Sequence, residues 1–272
     1  MTPYEALSLD PSALVLHYNQ QIFEGLKAFR QSNGSVSLFS PDQLAKRFCR
    51  SATRMAMPVL DDEMFLESIR QLVAVEDRWV PSDPSTSLYI RPTMIATEPG
   101  LGVRASNTYL YYVIVCPVAA YYKEGAKPTR IAVEESGVRA APGGAGEAKT
   151  SGNYAPTLLA TQQAAADGFS QVLWLDANEH RYVEEVGTSN IFFRFGDELV
   201  TPPLGGTILP GVTRDSVLRL AREWGIPTVE RRVSIHEVVD GCQSGLLKEA
   251  FATGTAAVIS SIGELSYQSQ LV

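Results

Sequence analysis

Read for the spacing of its apolar residues, the chain falls into an amino-terminal stretch mixing strands with helices and a strand-rich remainder. LVLHYNQQIFEG and KAFRQSNGSVSLFS have the composition of strands, and the second should fold back as a hairpin at Ser32-Asn33-Gly34. Helical periodicity follows in PDQLAKRFCRSATRMAM, where Leu44, Phe48, Ala52 and Met55 recur on one side. It continues in DDEMFLESIRQLVAVEDRWV, with Met64, Ile69 and Leu72 near one face. SLYIRPTMIAT and NTYLYYVIVCPV are β-branched and aromatic enough to be strands. Beyond AAYYKEGAKPT, where Gly125 and Pro128 interrupt the apolar pattern, come a strand (RIAVEES) and a glycine-rich loop (PGGAGEAKTSG). A helix then opens near Asn153 with Leu158, Thr161 and Ala165 on one side. QVLWLDA, YVEEV and NIFFRF read as strands, with hairpin signals at Ala177-Asn178 and Gly196-Asp197. VTRDSVLRLAREWG is an amphipathic helix with Val217, Leu218, Ala221 and Trp224 on its apolar face, closed by Gly225. Ser234 and Glu237 have the spacing of a capping box.

The pattern predicts an α+β protein with a small domain over residues 1–118, a linker over 119–128 and a larger domain over 129–272. A length of 272 residues fits two cores better than one. Net charge is −7 and no Lys/Arg run exceeds two residues, which argues against nucleic acid or a membrane surface as partner and for small molecules. Cys49, Cys116 and Cys242 are odd in number and widely spaced, so neither a disulfide framework nor a zinc site is expected. His17, His180 and His236 lack ligand spacing, and no metal is expected. With no basic and apolar leader and no long apolar run, the expected location is the cytoplasm.

The loop APGGAGEAKTSGNY is the most unusual segment, because glycines flank a single lysine, Lys149. A phosphate loop would need Gly directly before the lysine, and Ala148 stands there. A solvated surface loop is the plain alternative. A third reading makes Lys149 an amine nucleophile toward an aldehyde cofactor, with Tyr154 near the cofactor's phenolic oxygen. That chemistry also needs a carboxylate facing a pyridine nitrogen and an anion site. Glu184 and Glu185 follow one another in YVEEV, and strand alternation sends them to opposite faces, one inward and one into water. LPGVTRDSV places a helix start after a tight turn, with the Val212 and Thr213 amides and the Thr213 hydroxyl available to phosphate; TGTA at 253–256 adds a second small-residue turn.

Taken together, GEAKTSGNY, EVGTSN and LPGVTRD, with IFEGLKAFR, RPTMIATEPGLGV, GNYAPTLLA and TPPLGGTILP, resemble the fold-type IV pyridoxal-phosphate aminotransferases, and among them the branched-chain amino-acid aminotransferases. The resemblance implies a small α/β domain beside a larger one with a barrel-like mixed sheet and flanking helices. It implies pyridoxal 5′-phosphate as cofactor, held covalently by Lys149, with Glu185 rather than Glu184 at the pyridine nitrogen and Tyr154 at the phenolic oxygen. Arg47, Val212, Thr213 and Thr255 match phosphate-binding positions, Arg139 an arginine near the phosphate, and Leu209 and Thr188 further cofactor contacts. Tyr18, Phe23, Tyr89 and Arg91 match the substrate pocket, with Thr188 and Ala256 near the substrate carboxylate. Leu101 and Val103 match positions that a neighbouring subunit presents, so a homodimer is implied. From spacing alone, Arg47 reads as a helix-surface charge, Arg91 as a member of a strand-edge ion pair, and the three aromatics as core.

The implied activity is transfer of an amino group from a hydrophobic amino acid to 2-oxoglutarate through pyridoxamine phosphate, with Lys149 as acid and base. A D-amino-acid aminotransferase, an aminodeoxychorismate lyase and a non-catalytic paralogue are the alternatives; IFEGLKAFR and EPGLGV favour the branched-chain type. Two departures stand out. Ser151 replaces a glycine of the family's usual KxGGNY, and family members carry further sequence before the point matching Met1 and after that matching Leu265, so a chain shortened at both ends is expected.

Overall fold

A computed structural model describes residues 1–119, 127–256 and 258–272. The chain divides into two compact units: Met1–Ala120 with Ala148–Gly152, and Tyr121–Glu147 with Asn153–Val272. The linker expected at 119–128 falls mostly on residues outside the described ones.

The first unit contains an antiparallel sheet of β1 (Gln21–Phe23), β2 (Leu26–Arg30), β3 (Val36–Leu38), β4 (Ser87–Ala96) and β5 (Tyr109–Val118). β4 is long enough to take β1 and β2 end to end, pairing Thr93–Ile95 with β1 and Leu88–Ile90 with β2, while β5 matches its whole length. The hairpin at Ser32-Asn33-Gly34 forms between β2 and β3 as expected. Two helices accompany the sheet, α2 (Pro41–Arg54) and α3 (Asp62–Val75). In α3 the buried stripe is Phe65, Ile69 and Val73 at i, i+4 and i+8, whereas Met64 is exposed. The strand expected over LVLHYNQQIFEG is instead helix α1 (Leu14–Tyr18) followed by β1. Asn19 ends that helix in a left-handed conformation (φ 57°), which asparagine tolerates, and its amide caps the Val15 carbonyl.

The second unit is built on a mixed nine-stranded sheet: β6 (Thr129–Val133), β7 (Gln171–Leu175), β8 (Val183–Val186), β9 (Asn190–Phe195), β10 (Glu198–Thr201), β11 (Thr228–Glu230), β12 (Leu247–Gly254), β13 (Val258–Tyr267) and β14 (Gln270–Leu271). Side chains from β6 to β10, β12 and β13 meet in one apolar cluster with Val233, Ile235 and Val238, so the sheet curls around a common interior. That cluster is closed by α6 (Ile235–Ser244), whose Ser234 cap accepts from the Glu237 amide as the sequence predicts. The opposite face carries two helices. α4 (Leu158–Ala166) covers Val172 and Trp174, and α5 (Val212–Glu223) covers Phe192 and Leu199.

Only part of the expected helical faces is buried. In α4, Ala164 packs inward and Leu158 is exposed; in α5, Leu218 and Ala221 pack inward and Trp224 is exposed. Short 3-10 turns at Ser151–Asn153 and Ala155–Thr157 precede α4, because Pro156 sets a new start. Among the described residues, no helix is long and apolar enough to cross a membrane, and no group of three His, Cys, Asp or Glu side chains could hold a metal.

Candidate active site

In the first unit, the segment carrying Lys149 lies along β1. Thr150 bridges Ile22 in antiparallel fashion, and the Phe23 amide donates to the Lys149 carbonyl at 3.1 Å. The Lys149 amide donates to Ser51 Oγ at 2.9 Å, and the Thr150 hydroxyl to the Gln21 carbonyl at 2.7 Å. Both polar groups of the Lys149 backbone are thus satisfied by this unit, and the side chain leaves a fixed base. Its Nζ lies 4.9 Å from the centre of the Phe23 ring. The Arg91 guanidinium lies 4.7 Å from the same ring and 5.2 Å from that of Tyr89, and donates to the Tyr89 hydroxyl at 3.0 Å. Tyr89 and Arg91, two residues apart on β4, share a face. Gly25 allows the ring in, since a Cβ there would sit 2.0 Å from the Tyr89 hydroxyl. Phe23, Tyr89, Arg91 and Lys149 are therefore brought together.

Arg47 is buried in α2, and its Nε and Nη2 donate to the two oxygens of Glu24 at 2.6 and 2.7 Å. Glu24 is fully buried and also accepts from the Gly25 amide at 3.1 Å. Sequence reasoning passed over Glu24; the available signal was one acid inside the apolar IFEGLKAF. Tyr18 donates to the Leu101 carbonyl, while the Leu101 and Val103 side chains are exposed. Glu98 ties down their loop through Arg104 (2.7 and 2.8 Å) and the Asn107 amide (2.6 Å). Hydrogen bonds from Arg104, chiefly, hold the Glu98 carboxyl down at about 2.

The second unit gathers a different set around β8. Both Glu184 and Glu185 are buried, so the expectation that one of them stands in water fails. The ladder with β7 pairs Trp174 with Glu185 and Leu175 with Val183, leaving Glu184 as an extra residue in a β-bulge. The bulge breaks the alternation on which the expectation rested, and lets Val183 and Val186, three apart, enter the same core.

Glu185 Oε2 is 3.0 Å from Arg139 Nε, and its Oε1 accepts from the Leu209 amide at 2.9 Å and from Asn190 Nδ2 at 3.1 Å. Asn190 also donates to the Leu209 carbonyl at 2.9 Å. Arg139 thus stands on Glu185 and on the carbonyls of Thr207 and Gly146, which accept from its Nη2. Its position is that of a partner to the carboxylate, where the resemblance implied one near a phosphate. Glu184 Oε1 accepts from the Thr207 hydroxyl at 2.5 Å, and burial raises the Glu184 pKa above the usual carboxyl value. Asn190 and Thr207 were not singled out from the sequence, although Asn190 closes the quoted EVGTSN.

Among the described residues no side chain caps the start of α5, so its first-turn amides at Val212 and Thr213 are not claimed by a cap. Gly211 keeps this turn close to Asn190, whose Oδ1 would be 2.0 Å from a Cβ. Thr253, opposite Asn190 in the β9 and β12 ladder, is 1% exposed, and its hydroxyl has no hydrogen-bond partner among the described residues. Leu209 precedes this turn, and Thr255 and Ala256 follow β12. Tyr154 begins the turn before α4, its carbonyl accepting from Thr157, and Thr188 is exposed between β8 and β9.

Comparison with known proteins gives one consistent answer. The family model described as amino-transferase class IV matches residues 21–265. Branched-chain-amino-acid aminotransferase 2 of Bacillus subtilis is 53% identical over 98% of this chain and 74% of its own length. Branched-chain-amino-acid transaminase 1 of the same organism is 54% identical over 100% and 77%. Among solved structures, the branched-chain aminotransferase of Thermoproteus uzoniensis with norvaline superposes with a TM-score of 0.84 at 26% identity, covering 95% of this chain and 82% of that one. The T.th. branched-chain amino acid aminotransferase complexed with N-(5′-phosphopyridoxyl)-L-glutamate superposes with a TM-score of 0.80 at 27% identity, covering 97% and 82%. The sheet, the loop at Lys149 and the length of these matches have one explanation: this chain belongs to the class IV aminotransferases, in their branched-chain branch.

Proposed function

We propose that the chain transfers amino groups between branched-chain amino acids and 2-oxoglutarate, with pyridoxal 5′-phosphate as carrier. The residues present fit that cofactor. The start of α5 and the buried Thr253 hydroxyl, both without a side-chain partner among the described residues, suit a phosphate. The buried Glu185, with Arg139 and the Leu209 amide fixing its oxygens, suits a protonated pyridine nitrogen.

When bound, the cofactor supplies a ring that takes up the electron pair left at the substrate Cα, and a carbon that carries the amino group between half-reactions. Lys149 moves the proton between substrate Cα and cofactor C4′ as base and then acid. Glu185 keeps the ring nitrogen protonated, and Tyr154 steadies the phenolic oxygen. The Val212 and Thr213 amides, with the Thr213, Thr253 and Thr255 hydroxyls, bind phosphate. Phe23, Tyr89, Arg91 and Tyr18 shape the side-chain pocket, and Thr188 and Ala256 face the substrate carboxylate. Leu101 and Val103, exposed within one protomer, meet a second copy in a homodimer working in the cytoplasm. The glutamate adduct bound by the T.th. relative supports 2-oxoglutarate as the acceptor.

The observation that carries the reading is the fixing of Lys149 at both its amide and its carbonyl, which aims one amine from a rigid base. The test is amino transfer from leucine, isoleucine and valine to 2-oxoglutarate by the purified chain and by Lys149→Ala. Loss of a proton-transfer group should lower the rate by at least about 10²–10⁴-fold and abolish the visible absorbance of the bound cofactor. Wild-type turnover by the alanine variant would end the assignment.

A further inference from the structure

Glu184 has no part in the chemistry above, yet it is 8% exposed and its Oε1 holds the Thr207 hydroxyl at 2.5 Å. Thr207 and its neighbours Gly206 and Leu209 in turn meet Arg139, Glu185 and the segment at Gly146 and Glu147. Its carbonyl accepts from Arg139 Nη2, whose Nε faces Glu185. Two residues on, the Leu209 amide binds Glu185 Oε1. On its other side lies Gly146, three residues before Lys149 in the sequence; a Cβ there would come within 2.5 Å of the Thr207 carbonyl oxygen. The Glu147 amide donates to the Gly206 carbonyl at 3.1 Å. One bulge thus sends neighbouring carboxylates to the two ends of a single stretch, Thr207 to Leu209, which itself fixes the oxygens of Glu185.

We propose that Glu184 is a positioning residue: by holding the Thr207 hydroxyl it sets the Thr207–Leu209 stretch, and through it the Arg139–Glu185 pair that faces the cofactor's ring nitrogen. The inference rests on the reading of Glu185 at that nitrogen. Its requirement is an acceptor oxygen at residue 184 and a hydroxyl at residue 207, and a negative charge at Glu184 is not needed. Burial, which raises the Glu184 pKa, points the same way. Glu184→Gln and Thr207→Ser keep the bond, whereas Glu184→Leu and Thr207→Val remove it.

The experiment uses the pyridoxal-phosphate-loaded enzyme and follows the visible absorbance of the bound cofactor against pH, beside kcat and KM for leucine. Glu184→Leu and Thr207→Val should each move the absorbance midpoint by at least about half a pH unit in the same direction. They should also lower kcat about tenfold, the equivalent of one ordinary hydrogen bond lost from the transition state. The double variant should be no worse than either single one, because both cut the same bond. Glu184→Gln and Thr207→Ser should stay within about twofold of wild type in kcat, with the midpoint unmoved. If Glu184→Leu does not fold, the near-isosteric Thr207→Val carries the test.

Variants that lower only the melting temperature, leaving the midpoint and kcat as in wild type, would overturn the proposal, as would Glu184→Gln behaving like Glu184→Leu. Glu185→Gln separates the two readings. If it changes neither spectrum nor rate, the assignment of Glu185 has failed; if it changes both while Thr207→Val changes neither, only the positioning role has failed.

Discussion

Replacing Glu24 by alanine should damage the first unit more than any surface substitution. The Glu24 and Arg47 side chains are 0% and 5% exposed, and two charge-assisted hydrogen bonds of 2.6 and 2.7 Å join them. Removing one member of such a pair typically costs about 3–5 kcal/mol, because the remaining charge stays in a medium that solvates it poorly. Against a total stability of about 5–15 kcal/mol this is a large fraction. At roughly 2–4 °C per kcal/mol, the apo-protein should melt about 6–20 °C lower. Removing both charges with Glu24→Leu/Arg47→Met should recover much of the loss, since an apolar pair of similar volume avoids the desolvation that the ion pair has to overcome. The assay is thermal and urea denaturation of apo wild type, both single variants and the double variant. A Glu24→Ala protein melting within about 2 °C of wild type would refute the reasoning. So would a double variant less stable than either single one.

Three further outcomes follow from particular contacts. Thr253→Val should weaken pyridoxal-phosphate binding about tenfold or more by removing a hydroxyl donor, while leaving apo-protein stability equal or higher because an unsatisfied buried hydroxyl is gone. Dye-free calorimetry with and without cofactor reads both. Gly146→Ala should displace the Thr207 carbonyl and shift the absorbance midpoint of the bound cofactor as Thr207→Val does, and an unshifted titration would refute the close approach. The Glu98 carboxyl titrates at about 2 in the fold against an ordinary 4.5, so its ionised form favours the folded loop. That contribution is full above the ordinary value and is lost as pH falls from about 4.5 through about 2. Protection factors of the amides of residues 100–107, which remove the intrinsic pH dependence of exchange, should fall over that window in wild type, and Glu98→Gln should show the lower protection already at neutral pH.

The elements most legible in the sequence were those whose periodicity answers to one buried face. The helix at Pro41–Arg54, the hairpin at Ser32-Asn33-Gly34 and the paired strands Ser87–Ala96 and Tyr109–Val118 all appear where the pattern puts them. LVLHY failed because five apolar-rich residues fit a helical turn as well as a strand, and only the left-handed Asn19 decides between them. The final strands were unread because their burial is irregular; β13 has exposed, intermediate and buried positions without strict alternation. At the site, motif spacing points to Lys149, the Glu184–Glu185 pair and the start of α5, and the resemblance to the family chooses Glu185; Glu24, Asn190 and Thr207 act through hydrogen bonds to residues 19 to 23 positions away, whose partners the spacing within one segment does not name. Glu184 was misjudged because alternation assumes a regular ladder, and a bulge is set by the partner strand.

That bulge also bears on how such a site can be gained or lost. With Glu184 deleted, Val183, Glu185 and Val186 would alternate regularly, both valines would still point into the core, and one carboxylate would remain on the opposite face. The barrel interior therefore asks for one residue fewer than the strand contains. A single-codon insertion or deletion here could add or erase the second carboxylate with little change in the packed interior, where a substitution would have to compete with existing contacts. For sequence comparison the consequence is practical: an ungapped alignment of this strand, matched up to Val183, with one that lacks the bulge pairs Glu184 with the residue in the register of Glu185 and moves every position after it by one.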